Sequence, residues 1–353
     1  MYYILNDSFV PIMPFENYVS FLWTDRFFEA GDFEIETMPE TALLEQCKQD
    51  YYILNTESEH EMIIEGLKIT TDTEEGTRLY ITGSSLESIL KRRIVWTKTL
   101  LSGNLQNGIK KILDENIISP TDETRKIPNF VFHESTDEAV TKLELARECD
   151  KENIYDLLTD ICKTKEIGFK IIRNEKNEFV FSLYAGKDRS YMQEVLPFVA
   201  FSPKFDNLEN SEFNNSTEDS VNTVYVTGGE NGSESVVVGN HTGLLRRESY
   251  VNAGTIEEGY TGSYTDFLTE KGNEELKDRK ATKIFEGDVD ATGLFKLGVD
   301  FSLGDIVQIE NEFQIQDRVR VVEIIHSDDK SGHTVYPTFE AYEAYEEIGK
   351  ETV

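Results

Sequence analysis

Leu297-Gly298-Val299-Asp300-Phe301-Ser302-Leu303-Gly304-Asp305-Ile306-Val307-Gln308-Ile309 is the stretch on which the fold turns. Two glycines bracket a short apolar turn, and a strand follows with Ile306, Val307 and Ile309 as its β-favouring residues. A second strand, Arg318 to Ile325, comes after a polar run from Asn311 to Asp317. The pattern predicts the corner of an antiparallel barrel or sandwich. Gly298 and Gly304 supply backbone angles closed to residues with a Cβ, and Asp300 and Asp305 hold the turn through backbone hydrogen bonds.

Strands dominate the chain on both sides of a mixed centre. Residues 1 to about 83 read as six or seven short strands, among them Val19–Phe27 and the alternating Phe33-Glu34-Ile35-Glu36-Thr37. The character changes at Ser84-Ser85-Leu86-Glu87, which fits a capping box opening a helix that ends at Lys91-Arg92-Arg93. A second helix is expected over Asn104–Ile118. Val140–Leu145 alternates like a strand, although a helix fits it too. An amphipathic helix capped by Asn153 and closed by Gly168 leads to a hairpin around Asn174–Glu178. Gly186-Lys187-Asp188-Arg189-Ser190 follows as a crossover between domains, with Asp188 or Arg189 as its anchor. Strands return at Phe198–Ser202, Asn222–Gly228, Val236–Val238 and Leu244–Val251. The polar run Asp206–Asp219 reads as an exposed loop, and Ser263 caps a polar helix to about Lys280.

Composition narrows the function. At 353 residues there is room for two or three cores. Sixty-seven acids against 35 bases leave a net charge of −32, which repels phosphates and argues against a specific nucleic-acid binder. The start shows no secretory pattern, and no apolar run approaches a membrane span. Cys47, Cys149 and Cys162 are odd in number and widely spaced, so reduced thiols are expected.

Motifs of catalysis are missing from the sequence. His60, His133, His241, His326 and His333 are scattered, and His133-Glu134 lacks the second histidine of a zinc helix. Asp288, Asp290, Asp300 and Asp305 lack the order of a calcium loop. There is no nucleophile elbow, phosphate loop or dinucleotide fingerprint. No catalytic, cofactor-binding or metal-binding residue is therefore assigned. Arg92-Arg93 and Arg246-Arg247 could pair with acids of a neighbouring subunit; a solvated helix end and a solvated strand are the plainer alternatives.

The order of features is more specific than any one of them. Leu79-Tyr80-Ile81-Thr82-Gly83 comes first, then Leu90-Lys91-Arg92-Arg93-Ile94, Ser102-Gly103, Asn153-Ile154-Tyr155-Asp156-Leu157-Leu158 and Gly168-Phe169. Gly186–Ser190, Phe201-Ser202 with Phe205-Asp206-Asn207-Leu208, Leu245-Arg246-Arg247-Glu248 and finally Leu297–Asp305 complete the series. From about residue 1 to 340 it resembles the tail-tip hub proteins of long-tailed phages, also called baseplate hubs.

That resemblance implies an α+β, mainly β fold: two small antiparallel β-barrels joined by α/β insertion domains. The first barrel is expected over 1–100, completed by about 195–235, and the inserted α/β domain over 101–194. The second barrel spans 236–340 with a helix at about 263–280, and 341–353 is an acidic tail. Gly186, Asp188, Arg189, Gly298, Asp300, Gly304 and Asp305 fall in the hub motifs, and Arg92, Arg93, Arg246 and Arg247 at possible subunit interfaces. The implied role is structural and not enzymatic: a homotrimeric ring at the virion tail tip that closes the tube until DNA release. Its implied partners are a hexameric distal tail protein, the tape-measure protein C-terminus and a tail fibre or receptor-binding protein. DNA would pass the lumen without specific binding, and the acidity suits that passage. Many relatives continue into a peptidase, lysozyme-like or host-binding region; this chain stops soon after the second barrel, so those activities are expected from another polypeptide. Two rivals from other classes stay open, a cell-wall hydrolase using an acidic pair and a carbohydrate-binding adhesin.

Overall fold

The computed structural model describes residues 1–342 apart from 75, 230–231, 255–262, 290–292 and 331. Of the expected tail, 343–353 lie outside the described residues, as does Asp290 of the acid series.

The first strands are β1 (Tyr2–Leu5), β2 (Pro11–Phe15), β3 (Ser20–Arg26) and β4 (Asp32–Thr37). After the short helix α1 (Thr41–Gln46) come β5 (Tyr52–Asn55), β6 (Glu61–Asp72) and β7 (Gly76–Ser85). They pair antiparallel in the order β3-β4-β7-β6-β5-β1-β2. Alternation does what it predicts in β4, where Phe33 and Ile35 are buried and Glu34 is exposed. The sheet curls around one core containing Trp23, Phe21, Ile35 and Ile81. Tyr2 of β1 reaches across it to Phe21 of β3, ring centroids 3.9 Å apart.

The central unit holds β8 (Thr99–Asn104), α2 (Leu105–Leu113), β9 (Phe130–His133), α3 (Glu138–Thr141) and β10 (Glu144–Cys149). It continues with α4 (Ile154–Lys165), β11 (Gly168–Arg173) and β12 (Phe179–Tyr184). Asn104 and Asn153 cap α2 and α4 through their side chains, Asn153 as the sequence predicts. The ambiguous 140–145 segment divides between α3 and β10. Glu166, at φ 56°, ends α4 in the left-handed conformation; Gly168 instead opens β11. Its missing side chain leaves room for Phe27, whose ring would lie 2.6 Å from a Cβ there.

Two further units follow. A small one contains β15 (Thr223–Gly228), β16 (Glu234–Val238), β17 (Glu248–Asn252) and α5 (Tyr264–Asp278) around Val224, Val226, Phe267 and Leu268. The other gathers β13 (Ala200–Phe201), β14 (Leu208–Ser216), β18 (Thr282–Val289), β19 (Ile306–Glu310), β20 (Gln316–Asp329) and β21 (Gly332–Ala341) around Phe201, Phe285, Phe301 and Phe339. Residues 236–340 are therefore divided between two cores. The polar run 206–219, read as a loop, forms β14, because pairing with β18 satisfies its backbone despite few apolar side chains.

β20 joins the halves. Its first part pairs with β19 and its last part, Glu323–Asp329, with β3. The result is one sheet of 13 strands, and among the described residues no strand pairing closes either half into a barrel. The mainly β fold is as expected, but the two expected β-barrels are not closed among the described residues: the strands form two curled half-sheets that share β20. At 14 residues, β20 is long enough to serve both.

Candidate functional site

The site that the structure builds is the joint between these units. Gly186 leaves β12 and crosses the turn Leu303-Gly304-Asp305. A Cβ on Gly186 would lie 1.7 Å from the Gly304 carbonyl oxygen. Gly304, at φ 90°, faces the Phe27 ring, which a Cβ would meet at 2.3 Å. Two glycines here permit backbone-to-backbone contact that side chains would prevent.

Asp305 is buried and fully engaged. Its carboxylate accepts from Lys187 N at 2.7 Å, Arg189 Nε at 2.9 Å and Ser302 N at 3.0 Å. The backbone adds a short parallel pairing: Ile306 N donates to Lys187 O at 3.0 Å and Arg189 N to Ile306 O at 2.7 Å. Arg320 completes the joint from β20. Its guanidinium donates to Gly304 O at 2.8 Å, lies 3.4 Å from Glu166 and stacks over Phe27. Burial holds the Arg320 pKa below its usual value, against the pull of Glu166.

Asp188 accepts from Ser190 N at 2.8 Å and so shapes the crossover itself. Asp300 closes the neighbouring turn by accepting from Lys296 N at 2.8 Å, and Gly298, at φ 77°, turns in open space. Gly186, Arg189, Gly304 and Asp305 are therefore one cluster, while Gly298 and Asp300 belong to the adjoining turn.

The arginine pairs lie elsewhere. Arg92 pairs with Asp50 at 2.8 Å, and Arg93 donates to Arg125 O at 2.8 Å. Arg246 pairs with Glu248 at 2.5 Å, and Arg247 reaches Thr217 Oγ1 at 3.3 Å. Arg246 and Arg247 sit after a helical turn, Gly243–Leu245, and not within a strand.

Beside the joint a cleft of about 780 Å³ is lined by His60, Lys170, Lys187, Arg189, His326 and His333, among others. Its floor continues into a buried ionisable group. Glu87 is buried, accepts from Ile171 N at 2.7 Å and lies 3.5 Å from His60. Burial would lower the His60 pKa, but Glu87, Asp25 and Glu59 together push it up to about 9. Burial acts on Glu87 too, yet His60 and the Ile171 amide hold its carboxyl below the usual range. Burial raises the Asp25 pKa. The expected capping box does not form: Leu86–Arg92 is a 3-10 segment, and Glu87 turns inward to His60 and the central unit.

Sequence reading missed Arg320, Phe27, Glu87 and His60. Arg318 and Arg320 alternating within an apolar strand were the one available signal. The others depend on contacts between residues distant in sequence: Phe27 against Gly168 and Gly304, and Glu87 against His60 and the Ile171 amide. Among the described residues no group of three or more His, Cys, Asp or Glu could hold a metal ion, and no helix is long and apolar enough to cross a membrane.

Three solved structures share this fold at low identity. A tail protein from Neisseria meningitidis MC58 aligns with TM-score 0.61 and 13% identity over 97% of both chains. The prophage MuSo2 43 kDa tail protein from Shewanella oneidensis gives 0.58 and 11%, covering 93% of this chain and 95% of its own. Prophage tail protein gp18 from Listeria monocytogenes EGD-e gives 0.56 and 12%, covering 96% and 94%. No curated protein matches. The family described as Siphovirus ReqiPepy6 Gp37-like protein matches residues 2–339. Family and fold together bear out the resemblance to phage tail proteins that the sequence carries.

Proposed function

We propose a function for this chain from one premise: it belongs to the Siphovirus ReqiPepy6 Gp37-like proteins. It is a structural, non-enzymatic tail component, and its place is the tail-tip hub. The observation that carries this reading is the 13-stranded sheet in which β20 is common to two curled halves. Three such chains supply six half-barrels, the number that a hexameric distal tail protein would meet. The outer edges at β2 and β14 leave backbone groups for partners, so closure of each half belongs to the assembled ring. A tape-measure C-terminus above and a fibre or receptor-binding protein below would complete the tip. The units at 99–184 and 223–278 stand off the tube in this reading. The −32 charge supports a lumen through which DNA passes without adhering.

The joint has a mechanical task here. Gly186, Gly304 and the Asp305–Arg189 pair fix the angle between the first half, the central unit and the second half. Gold-labelled antibody against the chain tests its position: label at the distal end of the particles is expected. Label along the tube, or particles without the protein, would overturn it.

A further inference from the structure

We infer that the loop tip Leu244-Leu245-Arg246-Arg247, on the small unit of β15–β17 and α5, docks onto an acidic surface of a second copy of this chain. Leu244 is fully exposed and Leu245 two-thirds exposed. The loop that presents them is braced. Arg246 N donates to Gly243 O at 3.2 Å, and Arg246 Nη1 to His241 O at 3.0 Å. Asn222 Nδ2 donates to Leu245 O at 2.8 Å, and Arg247 N to Asn222 Oδ1 at 2.9 Å. Gly239 sits so close to β15 that a Cβ would lie 2.2 Å from Asn222 O. A loop fixed at both ends while presenting two leucines to water is pre-organised for burial against something.

The face beside it has the same character. α5 covers one side of the sheet, where Val224, Val226, Val236 and Val238 pack. Tyr225, Val237 and Tyr250 stand in one row across three strands and are all exposed. Their rings are partly ordered by each other, with Tyr225 and Tyr250 6.2 Å apart.

Charge selects the occupant. Ser235 to Arg247 contains no Asp or Glu; Arg246 is paired with Glu248, and Arg247 and His241 are the other basic groups of the tip. The whole chain has 67 acids against 35 bases. A basic, apolar tip on an acidic molecule complements the remainder of another copy, and like-charged surfaces elsewhere would resist contact. This inference rests on the ring reading but adds a contact outside the tube.

The test uses the full chain. Light scattering should give a mass above one chain, and Leu244→Glu or Arg247→Glu should weaken association by about tenfold with unchanged circular dichroism. A photocrosslinking residue placed at Leu244 should give a covalent dimer, mapped to an acidic surface of the second copy. A trimer untouched by both substitutions, or crosslinks confined within one chain, would overturn this inference and leave the ring reading intact. A wild-type chain that stays single at every concentration counts against both.

Discussion

Gly186 and Gly304 meet where no methyl group fits, so their substitution should be felt through overpacking. Gly304→Val combines left-handed strain with collision against Phe27, and should cost roughly 2–6 kcal/mol. Gly298 has a similar φ but nothing within 4 Å of its absent Cβ. Gly298→Ala should therefore cost only about 1 kcal/mol. Thermal unfolding of both variants separates the effects; equal losses would show that strain alone matters and that the crowded crossover does not. The His60–Glu87 pair makes a pH prediction. The His60 pKa is raised from 6.5 to about 9, so its stabilisation is complete below pH 6.5 and is lost as pH climbs through 9. The Glu87 pKa is lowered from 4.5, so its share is complete above that pH and is lost on acidification. Melting temperature should fall between pH 6.5 and 9, and His60→Gln should flatten that fall. An unchanged slope in the variant would remove His60 from the account.

Among the elements, β20 and α5 carry the connections between units. β20 changes partners at a bulge between Val321 and Glu323, where Val322 O accepts from Phe27 N at 2.9 Å. α5 docks on the central unit through charge. Arg147 of β10 pairs with Glu152 at 3.1 Å, with Asp160 and with Glu274 of α5 at 3.9 Å, while Lys165 pairs with Glu270 at 2.7 Å. Burial works against the Arg147 charge, yet Glu274, Asp160 and Glu152 raise its pKa. Removing Arg147 leaves Glu152 and Asp160, both partly exposed, without this cation, while Glu274 keeps Lys271, a change that costs about 1–3 kcal/mol. Arg147→Ala should speed amide exchange across Tyr264–Asp278 well before it affects β3 and β4. Uniform acceleration would show that α5 is not a separately docked element. Local elements were legible in the sequence because their causes are local: Asn153 and Ser263 as caps, and the alternation of β4. β14 was not, since its pairing with β18 rather than its own polar residues makes it a strand. Glu87 likewise followed the local pattern of a cap, until a histidine 27 residues earlier and an amide 84 residues later drew it inward.

For the whole molecule, the mainly β architecture with α/β material between two β sets followed from the order of strands, turns and helices. How the halves connect did not, because a strand shared by two sheets leaves no mark on its own periodicity beyond its length. The joint was half legible: the sequence singles out Gly186, Arg189, Gly304 and Asp305, but only the fold brings the two motifs together across 118 residues. On the proposed hub reading, the net charge of −32 would suit a tube through which DNA passes without adhering. The most direct measurement is a cryo-electron microscopy reconstruction of the tail tip. It should contain three copies of this chain in one ring, their half-sheets alternating in near six-fold order beneath a hexameric ring. One copy or six copies, or a tip in which the two halves do not share the ring, would contradict the account.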